Sequence, residues 1–390
     1  MMLVLIVLIG FVSWHFVSAS LHEHQVDFSV YRRGGAAVLH GADLYAVRVG
    51  SLRLPFTYPP AAALLFAPFA GIAIRPEQAL WAAGSLVALW YVIRLSLRRY
   101  APPRISNETL VALGVFVLVA QSNPLRVGMG LGQINVFIAL LVLADFCGVA
   151  PSLPRGCLIG VAAALKLTPA FLIVYLLVVR RYRAAAAAVS TFLLVSLVAF
   201  AFAPTASWRY WTDGYFADAH RTGDISYISN QSLNGLFVRL TGGPAHARGL
   251  WLVAAAATTI FVLWLARRSH AARPWLGEAL AASAMLLVSP VSWVHHWIIV
   301  LPLLLASFRC ALDASPRVRL AILSTSIALA AVLRFGVIWR LGLPDERVYH
   351  ASPVQSLVGN SQVILLLALI AALAVYELRG ATDRKRRVLV

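Results

Sequence analysis

Apolar and polar positions fall along this chain in long blocks. Residues 1–20 are apolar apart from His15 and a few serines, and further apolar segments follow at about 60–74, 77–97, 109–122, 134–148, 156–179, 184–203, 249–266, 275–294, 297–308, 318–335 and 361–378. A helix needs about 20 such residues to cross the hydrocarbon core. The pattern therefore predicts an all-α integral membrane protein, a bundle of about 10–12 transmembrane helices with residues 1–378 as a single domain. Several segments are short for a crossing helix. Broken helices at membrane depth are tolerated only where protein or a water-filled cavity surrounds them, so a site within the bundle is expected, and 156–179 should break near Pro169. The first segment ends in Val17-Ser18-Ala19-Ser20, which is similar to a cleavage site. It lacks a basic n-region and many spans follow, so a retained first helix is the expectation.

Two polar stretches interrupt the blocks. Residues 21–59 carry Asp27, Tyr31, Arg32, Arg33, Asp43, Tyr45 and Tyr58. Residues 204–248, the largest loop, carry Trp208, Tyr210, Trp211, Tyr215, His220, Arg221, Tyr227, Asn230 and Gln231.

Composition agrees with the blocks. The 390 residues are 61% hydrophobic and 12% charged, with a mean hydropathy of +0.80; about 25% charged would be ordinary for a soluble chain. The net charge of +18 would suggest a polyanion partner if the charge were spread evenly. Instead, 18 of the 33 basic residues lie in five clusters, 94–104, 180–183, 267–273, 309–319 and 379–387. Outside them the chain has 15 basic and 13 acidic residues. Basic residues gather in cytoplasmic loops, so the excess is a topology signal with an attraction to anionic membrane lipids, and no nucleic-acid partner is expected. The clusters place 21–59, about 123–133, 204–248, about 290–297 and 336–360 outside, and residues 379–390 as a basic cytoplasmic tail. The alternation holds from residue 184 onward but fails between 55 and 98 if both 60–74 and 77–97 cross. Cys147, Cys157 and Cys310 show no metal spacing and read as small hydrophobes.

A few polar residues call for explanation. Asp27 lies just beyond the first span, where a carboxylate is a general base, a metal ligand or a solvated loop residue. Asp43, in Gly41-Ala42-Asp43, reads as a turn or a helix cap. Lys166 lies in an apolar segment, where an ionisable group is a functional candidate by default, with snorkelling as the alternative. Residues 130–135, GLGQIN, place Gln133 and Asn135 at a break and match no nucleotide-binding loop. Ser289–Trp297 brings His295 and His296 beside Trp293 near membrane depth, where a histidine can move a proton or, protonated, stabilise a phosphate. On an α-helix the two rings point about 100° apart, so one of them is expected in a given site. No further ligands accompany them, and no metal or cofactor is expected.

The ordered elements VDFSVYRRGGAAVLHGADLY (26–45), FTYPPAAALLFAPFA (56–70), GLGQINVFIALLVLADF (130–146), LKLTPAFLIVYLLVVRRYRA (165–184), SNQSLNGLFVRL (229–240) and SPVSWVHHWIIVLPLL (289–304) resemble the family 87 glycosyltransferases of the GT-C superfamily. That group includes polyprenol-phosphate-mannose-dependent alpha-mannosyltransferases of mycobacteria. The resemblance covers residues 1–378 and departs at the N-terminus, which is short and lacks a basic cytoplasmic lead. It implies a GT-C helical bundle in the bacterial plasma membrane with its active site facing outward. It also implies a polyprenyl-phosphate mannose donor, a lipid-anchored mannoside such as a phosphatidylinositol mannoside as acceptor, and inversion at the anomeric carbon. Asp27 takes the place of the catalytic carboxylate of the first external loop. His295 or His296, with His295 preferred, takes that of its partner. On this reading Arg32, Arg33, Lys166, Arg221 and a protonated histidine are candidates for the phosphate. Gln133, Asn135, Asn230 and Gln231 are candidates for sugar hydroxyls, and Tyr31, Tyr58, Trp208 and Trp293 for sugar faces. A polyprenyl-phosphate-pentose arabinofuranosyltransferase is the nearest alternative. A secondary transporter is the alternative from another class, though no internal repeat supports it and Lys166 has no counterpart in the other half.

Overall fold

A computed structural model describes residues 1–103, 106–341, 349 and 351–388, with 380–388 as backbone only. Among these the chain is predominantly helical. Seven helices are long and apolar enough to cross a membrane, or eight if one bent pair is a single span. Four shorter apolar helices, Pro60–Gly71, Asn135–Cys147, Thr168–Val178 and Pro274–Val288, account for most of the remaining apolar segments. The twelve apolar segments thus coincide largely with helices, but seven of the described helices, or eight spans with the bent pair, have crossing length where about 10–12 spans are expected from the sequence. Residues 60–74 form the short helix α3 (Pro60–Phe66) and a 3-10 turn, whereas α4 (Ile74–Tyr100) has 27 residues. With α4 alone of crossing length, the alternation problem between 55 and 98 disappears.

The chain folds as two compact units, residues 1–95 with 109–224 and residues 96–108 with 225–390. In the first unit, α1 (Met2–His22) is apolar nearly all round and little buried. A break at residues 23–25 leads into α2 (Val26–Leu39), which buries Phe28, Tyr31 and the Gly34-Gly35 pair. The pair lets α2 lie against α3: a Cβ on Gly35 would stand 2.5 Å from the carbonyl carbon of Phe66. A two-stranded hairpin, β1 (Arg48–Val49) with β2 (Leu54–Pro55), closes the 21–59 stretch. Asp43 is the cap foreseen, accepting from the Tyr45 amide at 3.0 Å, and it also accepts from Arg209 at 2.6 Å.

Two helices, α5 (Glu108–Ala120) and α6 (Asn123–Leu131), form the bent pair, at 66°. The expected loop at 123–133 is therefore mostly helix. Next come α7 (Asn135–Cys147) and α8 (Cys157–Leu165), then a 3-10 turn at Thr168–Ala170 and α9 (Phe171–Val178), so the break near Pro169 is where the sequence put it. At one end of the α7–α8 pair the Asp145 carboxylate accepts from the backbone amides of Gly156 (2.8 Å), Leu158 (3.0 Å) and Ile159 (3.2 Å). A carboxylate on one helix thereby satisfies the orphan donors at the start of the next. The unit ends with α10 (Tyr182–Phe202) and α11 (Pro204–Trp211).

The second unit contains α12 (Leu233–Thr241), α13 (Pro244–His270), α14 (Pro274–Val288), α15 (Leu301–Leu312), α16 (Pro316–Phe335), α17 (Pro353–Gly359) and α18 (Ser361–Val388). Much of the stretch 204–248 is helical, because α13 already begins at Pro244. The backbone of α18 continues through most of the basic tail; residues 389–390, and 342–348 and 350 of the 336–360 loop, lie outside the described residues. Two buried acids in this unit are paired: Glu278, fully buried on α14, accepts from Nε and one Nη of Arg99 at 3.0 and 2.8 Å. Arg273 reaches Glu377 at 2.9 Å.

Candidate active site

Asp27 occupies the first turn of α2, where the helix dipole favours an anion. Its Oδ2 accepts a hydrogen bond from Nε2 of Gln133. Gln133 is brought there by Gly132, which ends α6 in the left-handed region at φ +73°. A Cβ on Gly132 would meet Phe28 at 2.6 Å, so only glycine fits this approach. The Trp81 indole donates to the Gly132 carbonyl at 2.9 Å, and Trp81 packs among Phe28, Phe66, Phe69 and Phe137. The aromatic cluster under α2 thus fixes both the carboxylate and the amide beside it.

The other amide atom of Gln133 faces donors. Its Oε1 lies 3.0 Å from Asn135 Nδ2, 3.1 Å from the Tyr31 hydroxyl and 3.2 Å from the Tyr58 hydroxyl. The two tyrosine hydroxyls are 2.9 Å apart, so Tyr31 can donate to Tyr58 and Tyr58 to Gln133. Asn135 opens α7, and its Oδ1 accepts from Lys166 Nζ at 2.7 Å. Lys166 stands where α8 stops, in extended backbone before Pro169, with its Nζ 5.4 Å from the centre of the Tyr58 ring. Burial pushes the Asp27 carboxyl above the usual range, opposed by the Gln133 hydrogen bond and by the charge of Lys166. Asp27 still keeps accessible surface. The result is a carboxylate of raised basicity, held by one amide, with a cation two side chains away.

Six of the sequence candidates, Asp27, Tyr31, Tyr58, Gln133, Asn135 and Lys166, therefore meet in one network. The remaining candidates have other surroundings. Arg32 donates to buried Glu77 at 2.7 Å and to the carbonyl of Ile72 at 2.7 Å, tying α2 to the start of α4; Arg33 is exposed. Arg221 donates to the Phe56 carbonyl at 2.9 Å and lies over the rings of Tyr45 and Tyr215. Trp208 is exposed on α11. In the second unit Asn230 and Gln231 are fully buried. Asn230 donates to the Ile225 carbonyl at 3.0 Å and accepts from the Ser292 amide at 2.9 Å. Gln231 donates to the carbonyls of Ile228 at 2.8 Å and Gly359 at 2.7 Å. These contacts hold backbone rather than sugar: the two residues fasten their loop to Ser292 and Trp293. His295 and His296 lie in a 3-10 turn, not an α-helix, with ring centres 4.7 Å apart at 83°. His295 is buried and His296 half-buried, beside a partly exposed Trp293.

The Asp145 clasp and the Arg32–Glu77 pair escaped sequence reading. Their signal was present, an acid near the end of the apolar segment 134–148 and another at the start of the segment 77–97.

A carboxylate of raised basicity and a cation, set two side chains apart in a helical bundle, are suited to group-transfer chemistry. Residues 56–290 match the model of Glycosyltransferase family 87. The chain is 33% identical over 373 residues to a polyprenol-phosphate-mannose-dependent alpha-(1-2)-phosphatidylinositol mannoside mannosyltransferase of Mycolicibacterium smegmatis, covering 90% of this chain and 83% of that one. It is 33% identical over 333 residues to a polyprenol-phosphate-mannose-dependent alpha-(1-2)-phosphatidylinositol pentamannoside mannosyltransferase of the same organism, covering 82% and 79%. The crystal structure of ArnT from Cupriavidus metallidurans bound to undecaprenyl phosphate aligns with 96% of this chain and 77% of its own, at 16% identity and a TM-score of 0.44. The chain belongs to glycosyltransferase family 87. It is a membrane glycosyltransferase, which removes the transporter alternative.

Proposed function

We propose that this enzyme transfers mannose from a polyprenyl-phosphate mannose to a hydroxyl of a phosphatidylinositol mannoside at the outer face of the plasma membrane, with inversion at the anomeric carbon. The relatives' shared donor supports the choice of sugar, and the Asp27–Gln133–Asn135–Lys166 network carries the chemistry. Asp27 acts as general base. As the acceptor oxygen bonds to the anomeric carbon, its proton passes to the carboxylate, the bond from that carbon to the phosphate oxygen breaks, and the electron pair leaves with the polyprenyl phosphate. One base suffices for a single displacement, and its raised pKa brings it closer to the working pH. Lys166 is the cation placed to meet the developing phosphate charge. Tyr31 and Tyr58 line the same network.

The test is transfer by purified protein from radiolabelled polyprenyl-phosphate mannose to phosphatidylinositol mannosides of graded mannose number, with linkage analysis of the product. An alpha-(1-2)-linked mannoside is expected. Label incorporated from a polyprenyl-phosphate pentose and not from the mannose donor would overturn the assignment.

A further inference from the structure

The side chain of Gln133 has one orientation available. Its Oε1 accepts from the Asn135 amide at 3.0 Å and from the Tyr58 hydroxyl at 3.2 Å, while Tyr31, 3.1 Å away, donates to Tyr58. A rotated amide would turn its NH2 on the Asn135 NH2, a donor without an acceptor, and its oxygen on a carboxylate. Asn135 is fixed in turn, because its own oxygen accepts from the Lys166 ammonium at 2.7 Å. A cation thus sets the sense of the first amide, and the first amide sets the sense of the second. Gln133 is 8% exposed and Asn135 7%, which leaves little of either for a sugar hydroxyl. Among the described residues, the side-chain hydrogen bond that Asp27 accepts comes from Gln133 and goes to Oδ2.

We propose that Gln133 is the positioning residue for Asp27: its amide, held in one sense by Asn135 and the tyrosine pair, pins Oδ2 and leaves Oδ1 to take the acceptor's proton. The inference rests on Asp27 being the general base. It makes the GLGQIN turn a device that aims the base, in place of the sugar contact expected of Gln133 from sequence. A base misplaced by about 1 Å loses on the order of 10²-fold in rate. The groups that face Asp27 in this network are Tyr31 on its own helix, Tyr58 before α3 and Lys166 beyond α8. Of the neighbours, Gln133 and Lys166 favour the ionised form.

The experiment compares Gln133→Glu, Gln133→Met and Asp27→Asn in the full-length protein, with transfer followed across pH and the KM for polyprenyl-phosphate mannose measured for each active variant. Gln133→Glu keeps an oxygen for Asn135 and the tyrosines and replaces only the donor facing Asp27 with a second acid. Its kcat at neutral pH should fall about 10²-fold, its acid limb should move upward because two carboxyls then share the site, and its donor KM should stay within about twofold. Gln133→Met should lose kcat similarly with a smaller upward shift of the limb. If both variants keep wild-type kcat and limb while Asp27→Asn is dead, Gln133 does not position the base and the assignment of Asp27 stands. A tenfold rise in donor KM with kcat retained would make Gln133 a sugar contact and overturn the proposal. Wild-type turnover by Asp27→Asn would overturn the assignment of the base itself, and this inference with it.

Discussion

Lys166 Nζ lies 2.7 Å from Asn135 Oδ1, and this bond joins the broken end of α8 to the first residue of α7. The two helices are clasped at their other ends by Asp145. Lys166 is therefore built into a helix pair rather than reaching for a membrane surface. We expect Lys166→Met to raise the KM for the polyprenyl-phosphate donor by about ten- to a hundredfold, the loss expected for a contact to a charged group. Binding of unlabelled polyprenyl phosphate measures this directly, and unchanged affinity would return the lysine to a purely structural part.

Asp27→Asn should accumulate and fold as wild type, because the amide keeps an oxygen for Gln133, yet transfer should fall about 10²- to 10⁴-fold. Membranes supplied with radiolabelled donor suffice for this assay.

The wild-type pH profile should show the same group. The active form of a base is the deprotonated one, and the Asp27 carboxyl is raised. Activity should therefore fall, as pH is lowered, through a limb lying above the usual carboxylate range of about 4, and Asp27→Glu should move that limb. A limb at the ordinary carboxylate value would contradict the burial of this group.

His295 and His296 differ in access. A group that meets substrate needs surface to do so, and His296 has more of it than His295. We expect His296→Ala to lower kcat more than His295→Ala, and His295→Ala to lower the thermal midpoint more. Paired kcat and thermal-shift measurements separate the two. This reverses the preference that the sequence resemblance suggested.

Packing makes its own demand at Gly35. A Cβ there would press on the Phe66 carbonyl group at 2.5 Å, and overpacking of this kind costs about 1–3 kcal/mol. Gly35→Val should lower the thermal midpoint of the detergent-solubilised protein. An unchanged midpoint would show that α2 and α3 separate easily.

Much of the candidate network was legible because polar residues are costly in apolar surroundings. Lys166, Gln133 and Asn135 each stood out against such a background, and Asp27 gained weight from the order of the elements around it. The same reasoning misled at Asn230 and Gln231, which are polar and buried because irregular backbone near Ser292 needs partners. Helix count was less legible: hydropathy shows that a stretch is buried, but not whether protein or lipid surrounds it, so α3 and α7 resemble spans without having their length. Which way each amide points depends on the turn at Gly132 and the break at Pro169, and composition carries no trace of that.

The two amides between Lys166 and Asp27 also act as a spacer. A lysine in direct contact would neutralise the carboxylate and lower its appetite for a proton. Set apart by Asn135 and Gln133, with every donor pointing from cation towards anion, the two charges steady one another without cancelling. On the proposed mechanism the lysine attends to a phosphate while the carboxylate attends to a hydroxyl. Two opposed tasks, stabilising a leaving anion and accepting a proton, would then be kept in one small volume by a pair of neutral side chains.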